Sequence, residues 1–198
     1  MVPSWSRLAR IVVLSVCLAC SASWGAPRKK WVMLTGCQYV TNPSDDGDSF
    51  RVRCGDKGFI VRLYFVDAPE TNFVYPERTR EQAVYFGATL DQTLRAGKEA
   101  GDVVRDTLQV PFTVWTRWAN AAGRSRERRY YALVQVNHRW LDEILVSKGL
   151  ARVKGVSTNL PSGQNWREHA DRLDALEADA KRQHIGAWGK PTTENTAP

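Results

Sequence analysis

The chain has 198 residues, 43% of them hydrophobic and 25% charged, with a formal charge of +7. That length favours one domain over two. The basic balance suits polyanionic partners, nucleic acid or an anionic membrane surface, without choosing between them.

The first stretch reads as an export leader. Residues 1–10 carry Arg7 and Arg10 and no acid, residues 11–20 form an apolar run, and small residues follow. The run is too short for a permanent membrane span, so no stable span is expected. The alternative is a buried N-terminal helix. Cleavage would fall after Ala22 or Ala26, and Leu18-Ala19-Cys20 weakly resembles a lipid-attachment signal. The expected organisation is a leader over 1–26, one domain over 27–189 and a mobile tail over 190–198. Losing the leader takes two arginines and no acid, so the formal charge falls from +7 to +5. Localisation is then secreted or periplasmic.

Four cysteines occur, but Cys17 and Cys20 lie in the leader region. Cys37 and Cys54 remain, too few for a four-ligand zinc site. Residues 31–40 and 49–54 read as strands joined by NPSDDGD, a segment rich in turn formers. A hairpin centred near Asp45 and Asp46 sets Cys37 opposite Cys54. An exported chain allows a disulfide there; two buried free thiols are the alternative.

Residues 59–66 (FIVRLYFV) predict a third strand, stopped by Pro69. After a loop over 72–79, Thr79 and Gln82 suggest a capped helix with Ala83, Phe86, Leu90 and Leu94 on its apolar face. Gly97 and Gly101 mark its end or a break. Residues 110–118 and 129–136 read as strands, and residues 140–148 as a short helix ended by Gly149. Residues 150–153 read as a strand and residues 154–164 as a loop. A last helix starts at Asn165 and stops at Gly186, with Trp188 docking back. The order β-β-β-α-β-β-α-β-α has no regular βα alternation. It fits an α+β domain, a small bent barrel with attached helices, better than a doubly wound sheet.

Acids gather at two turns: Asp45, Asp46 and Asp48 in the first, Asp67 and Glu70 after the third strand. Brought together, they would offer the oxygens a hard cation such as Ca²⁺ seeks; singly, each is an ordinary turn residue. Arg62 interrupts an apolar strand and, if inward, needs an anion such as phosphate. An outward arginine on a half-exposed strand is the alternative. Arg128 and Arg129 repeat the pattern, and Arg124, Arg126 and Arg128 read as a basic surface run. A divalent ion, paired arginines and a carboxylate base are what phosphodiester hydrolysis requires. His138, His169 and His184 read as surface or packing residues, and no Ser-His-Asp arrangement is evident.

From residue 31 to residue 188 the chain resembles the staphylococcal nuclease, or thermonuclease, family. The resemblance rests on DGDSF (46–50), VRLYFVDAPET (61–71), RYYALVQV (129–136), LDEILVSKGLARV (141–153) and LEADAKRQHIGAW (176–188), in order and spacing. It implies a five-stranded OB-fold-type barrel with three helices, and Ca²⁺-dependent hydrolysis of DNA and RNA with little sequence preference. It also implies Asp48, Asp67 and the Ala68 carbonyl as calcium ligands, with Asp46 in support. Glu70 would be the general base, and Arg62 and Arg129 the phosphate arginines. A monomer is expected.

Departures from the family pattern are visible too. The second arginine follows Glu127 and Arg128 where the family has Tyr-Gly, which leaves Arg128 open as a neighbouring-register choice. Gly155 and Ser157 stand where the reference enzyme has aromatics around the nucleotide. Tyr130 and Tyr131 are candidate substitutes for stacking, although strand packing explains one of them more simply. Residues 72–78 are the chain's own. The competing readings are a catalytically silent barrel that binds nucleic acid or protein, and a small exported structural protein whose acids only sit in turns.

Overall fold

The computed structural model describes residues 29–122 and 127–189. The expected leader over 1–26, Cys20, the tail over 190–198, Arg124 and Arg126 lie outside the described residues. The strands are β1 (Val32–Tyr39), β2 (Ser49–Cys54), β3 (Lys57–Leu63), β4 (Val66–Asp67), β5 (Phe112–Ala121), β6 (Arg129–Val136), β7 (Arg139–Trp140) and β8 (Arg152–Val153). The helices are α1 (Pro76–Phe86), α2 (Leu90–Thr107), α3 (Leu141–Ser147) and α4 (Trp166–Gln183), with a 3₁₀ turn at Gly186–Trp188.

The fold is mixed α+β. A six-stranded sheet runs β3-β2-β1-β5-β6-β7, and β3 also pairs with β6. That second pairing is parallel and sets Arg62 opposite Tyr131; every other pairing is antiparallel. The sheet buries alternate residues of its strands, such as Phe50 and Val52 of β2 and Val61 and Leu63 of β3, in one core shared with residues of the helices. Among the described residues, no helix is long and apolar enough to cross a membrane.

The first hairpin has the expected register, with Gln38 opposite Arg53 and Tyr39 opposite Val52. Cys37 and Cys54 form a disulfide, their Cα atoms 4.2 Å apart. The free-thiol alternative is therefore set aside.

Two expectations need correction. The third strand does not run through to Val66. β3 ends at Leu63, Phe65 takes a left-handed φ of 68°, and Val66–Asp67 leave the large sheet to pair with β8. An apolar run cannot report such a kink, because the residues stay buried on both sides of it. The second correction concerns the helices, four rather than three among the described residues. The one expected after Thr79 is two, and Thr79 lies inside the first. Gly87 ends α1 in the left-handed conformation, donating to carbonyls of Ala83 and Val84. Thr89 then caps α2 with Gln92 in a reciprocal capping box. The helix continues through Gly97 and Gly101 to Thr107, since glycine lowers helix propensity without forbidding the helix.

The last helix starts where expected but ends at Gln183, with His184 as its left-handed cap, before Gly186. Asn165 caps α4 by accepting from the Arg167 amide. Trp188 is buried against Phe86 and Tyr85, with ring centroids 4.8 and 5.5 Å away.

The disulfide closes a loop across a sequence separation of 17 residues. Loop-closure entropy then predicts that the Cys37→Ser/Cys54→Ser variant loses about 3 kcal/mol of stability. Urea denaturation of both proteins checks this, and equal midpoints would show that the hairpin holds without its crosslink.

Candidate active site

The β2–β3 register sets Arg62 opposite Ser49, at the end of the hairpin where the acidic turn begins. The turn is held by Asp46, whose Oδ1 accepts from the amides of Asp48 (3.0 Å) and Ser49 (2.6 Å). Asp48 is thereby aimed inward and is only 1% exposed. Its Oδ2 accepts from the Ala68 amide at 2.9 Å, and its Oδ1 from the Ser49 hydroxyl at 3.1 Å. Arg62 points inward, which removes the outward alternative. Its Nη1 pairs with Asp48 Oδ1 and its Nη2 with Asp67 Oδ1 at 3.1 Å.

The kink at Phe65 is what allows this. It turns Asp67, 3% exposed, back toward the arginine five residues before it. Two buried carboxylates would each cost several kcal/mol of desolvation if left unpaired, roughly the penalty that pairing must offset. Three guanidinium groups surround Asp67. Arg62 and Arg78 reach its Oδ1, and Arg152 reaches its Oδ2 through Nε at 2.9 Å. Burial pushes the Asp67 carboxyl up, but Arg78, Arg152 and Arg62 outweigh it and hold it below its ordinary value. Burial likewise works against the charged Arg62, and Asp48 and Asp67 more than compensate. Asp46 lies well above the usual carboxylate range, through burial and then the charge of Asp48.

Helix α1 supplies a second layer. Arg78, Glu81 and Gln82 lie three and four residues apart and so share one face. Arg78 Nε pairs with Glu70, so one guanidinium ties together Asp67 and Glu70. The Gln82 carboxamide donates to the Ala68 carbonyl at 2.9 Å and accepts from the Glu70 amide at 2.8 Å. Glu81 takes a bidentate pair from the fully buried Arg152, at 2.7 and 2.6 Å, and a further bond from Lys154. These bonds, the Arg152 hydrogen bond first, pull Glu81 down to about 2. From the other side α2 closes on the same loop. A Cβ at Gly97 would lie 2.3 Å from the Glu70 carbonyl oxygen and 2.6 Å from that of Pro69.

An open cavity of about 910 Å³ lies over this network. Asp46, Arg62, Glu70, Arg78 and Arg129 line it, whereas Asp48 and Asp67 lie beneath Arg62 and Arg78. Arg129 Nη1 donates to the Ser49 hydroxyl at 3.2 Å, and Arg62 Nη1 is 3.5 Å from the same oxygen. The Arg129 Nε is buried with no partner among the described residues. Arg128 is exposed and does not line the cavity, so of the two registers it is Arg129 that faces the site. Glu127 pairs with Arg51 at the rim. Tyr131 lines the cavity, while Tyr130 packs against Phe59 and Trp118. Among the described residues, no histidine lines it. His169 is buried elsewhere, 2.7 Å from Asp142.

Among the described residues, no three His, Cys, Asp or Glu side chains form a metal-holding group. The oxygens of Asp48 and Asp67, with Asp46 beside them, are nevertheless hard donors of the kind a divalent cation takes. They already gather around a cationic group, the Arg62 guanidinium. A metal ion there would compete with Arg62 and Arg78 for the same oxygens.

Four contributors went unread in the sequence: Ser49, Arg78, Gln82 and Arg152. Arg152 carried a usable signal, a charge inside the apolar run Leu150–Val153, the same anomaly that marks Arg62. Arg78 and Gln82 carried none, since polar residues on a helix after a loop are ordinary.

The profile described as staphylococcal nuclease homologue matches residues 60–190. The match begins inside β3, so Arg62, Asp67, Glu70 and Arg129 fall within it and Asp46 and Asp48 precede it. No curated protein matches the chain.

Alanine normally stabilises a helix interior over glycine by about 1 kcal/mol. At Gly97 the sign reverses, because the new Cβ meets backbone oxygens. The expected loss for Gly97→Ala is about 1–3 kcal/mol. Urea midpoints read the sign directly, and a more stable variant would show that α2 does not press on the Pro69–Glu70 loop.

Proposed function

The chain belongs to the staphylococcal nuclease homologue family, and from that premise we propose an exported, calcium-dependent nuclease that hydrolyses phosphodiester bonds in DNA or RNA with little sequence preference. The observation that carries this reading is the convergence of Arg62 and Arg129 on one hydroxyl, that of Ser49, in the wall of a cavity that Glu70 also lines. Two guanidinium groups that meet at one oxygen suit the oxygens of one phosphate. Family membership supports a nuclease or nucleic-acid-binding domain. The disulfide is consistent with export.

Each residue has a role in this reading. Arg62 and Arg129 bind the phosphate and neutralise the charge that grows on its oxygens in the transition state. Glu70 accepts the proton of the attacking water. Arg78 orients the Glu70 carboxylate until substrate arrives, and Gln82 fixes the backbone from Ala68 to Glu70. Asp48, Asp67 and the Ala68 carbonyl would hold calcium, with Asp46 in support. Bound calcium would polarise a phosphoryl oxygen and help place the water. The strand circuit β3-β2-β1-β5-β6 is read as an OB-type barrel, residues 27–189 as one monomeric domain, and residues 1–26 as the leader.

A second reading, a nucleic-acid-binding domain without catalysis, draws on Arg78. Its pairing with both Asp67 and Glu70 engages the proposed metal ligand and the proposed base.

Cleavage of closed circular DNA by the mature protein separates the two readings. The nuclease nicks it in calcium and stops with chelator. Glu70→Gln stays folded and loses about 10²–10⁴ in rate, as expected for removal of a general base. Folded protein that binds nucleic acid but leaves DNA and RNA intact in calcium would establish the silent reading instead.

A further inference from the structure

A second cavity, of about 560 Å³, is lined by Tyr64, Arg117, Thr158 and Trp166 among others. It adjoins the first. Tyr131, which lines the first cavity, stacks on Tyr64 with ring centroids 4.9 Å apart and planes 25° from parallel. One pair of stacked rings therefore separates the two spaces.

The chemistry of this second cavity is one-sided. None of its lining residues is an acid. Arg117 lies over the ring of Trp31, 4.3 Å from its centroid, and donates from Nη1 to the Thr158 hydroxyl at 3.3 Å. Its Nε is buried without a partner, and among the described residues Arg117 makes no ion pair. This contrasts with Arg62, Arg78 and Arg152, each of which is matched by carboxylates. A cation with an unused donor wants an anion. Trp166, whose ring carries the Arg167 guanidinium 4.6 Å from its centroid, borders the same space, and an aromatic wall suits a flat apolar group. A nucleotide offers both, and its base is free to stack only when the strand is single.

We propose that the second cavity is an accessory subsite for single-stranded nucleic acid. It takes the nucleotide neighbouring the one held at Arg62 and Arg129, with the phosphate on Arg117 and the base against Trp166. The Tyr64–Tyr131 pair forms the partition between the two positions. The proposal rests on reading the first cavity as a phosphodiester site.

The test measures binding of labelled single-stranded DNA and RNA dodecamers, and of a duplex of equal length, by fluorescence anisotropy of the mature protein in chelator. The variants are Arg117→Gln and Ser157→Glu, the second placing an acid in the cavity from an exposed position. Both should weaken single-strand binding about tenfold, the scale of one lost stacking or phosphate contact. For Arg117→Gln the slope of log affinity against log salt should shrink by about 0.7, the value for one phosphate on a single strand. Duplex binding should change less. A loss confined to the DNA or to the RNA strand assigns the subsite to that sugar. Equal affinity and equal slope in both folded variants overturn the proposal, and Ser157→Glu decides if Arg117→Gln fails to fold. Hydrolysis of bis(p-nitrophenyl) phosphate and of the same strands in calcium is measured alongside. Failure of the wild type to cleave anything sinks the nuclease reading, while the chelator arms still report on Arg117.

Discussion

Two carboxylates, Asp48 and Asp67, are buried where water cannot solvate them. Much of the site follows from that constraint. A buried anion without a partner would cost several kcal/mol, a large share of the roughly 5–15 kcal/mol by which a domain is stable. Arg62 answers both acids at once, and Arg78 and Arg152 complete the shell around Asp67. The left-handed turn at Phe65 brings Asp67 back to Arg62 and passes Val66 and Asp67 to β8, which carries Arg152. The kink, the small sheet and the charge cluster form one device. Arg62 and Arg78, two of the three arginines around Asp67, stand in the cavity wall, and Arg129 adds a guanidinium there beside the Ser49 hydroxyl.

Helix α1 completes the site from a second side. Its face of Arg78, Glu81 and Gln82 contacts the Asp67–Glu70 segment or the arginine that supports it. The close approach of Gly97 fixes the same segment from α2. The proposed base therefore stands on a backbone held from two sides, with its carboxylate tied to a half-exposed arginine at the cavity. Preorganisation of this kind favours a group that must meet a reacting atom in a fixed geometry. The same tie means that substrate or metal must draw Arg78 away from Glu70 or Asp67.

Much of the plan was legible in the sequence, for identifiable reasons. The hairpin register followed from a turn segment between two short strands, and the disulfide followed from the register. Arg62 stood out because charge inside an apolar strand demands a partner, and the acidic turns supplied candidates. What stayed hidden depended on contacts far apart in the chain. The run FIVRLYFV remains buried throughout, so nothing in it announces that Phe65 turns the chain. Gly97 read as a helix end because its use lies in a loop almost thirty positions earlier. Gln82 read as a capping residue, and its work is to hold Ala68 and Glu70. The stripe through Phe86 and Leu90 suggested one helix, since a break of three residues barely disturbs a period of 3.6.

The most direct test of the account is calcium binding by the mature protein, measured by titration calorimetry in the absence of substrate and compared with Asp48→Asn. The wild type should show one saturable site and Asp48→Asn should lose it, since in the proposed site Asp48 and Asp67 would supply the carboxylates and Arg62 and Arg78 would yield them. Folded wild-type protein that shows no calcium binding, or an Asp48→Asn variant that binds equally well, would contradict it.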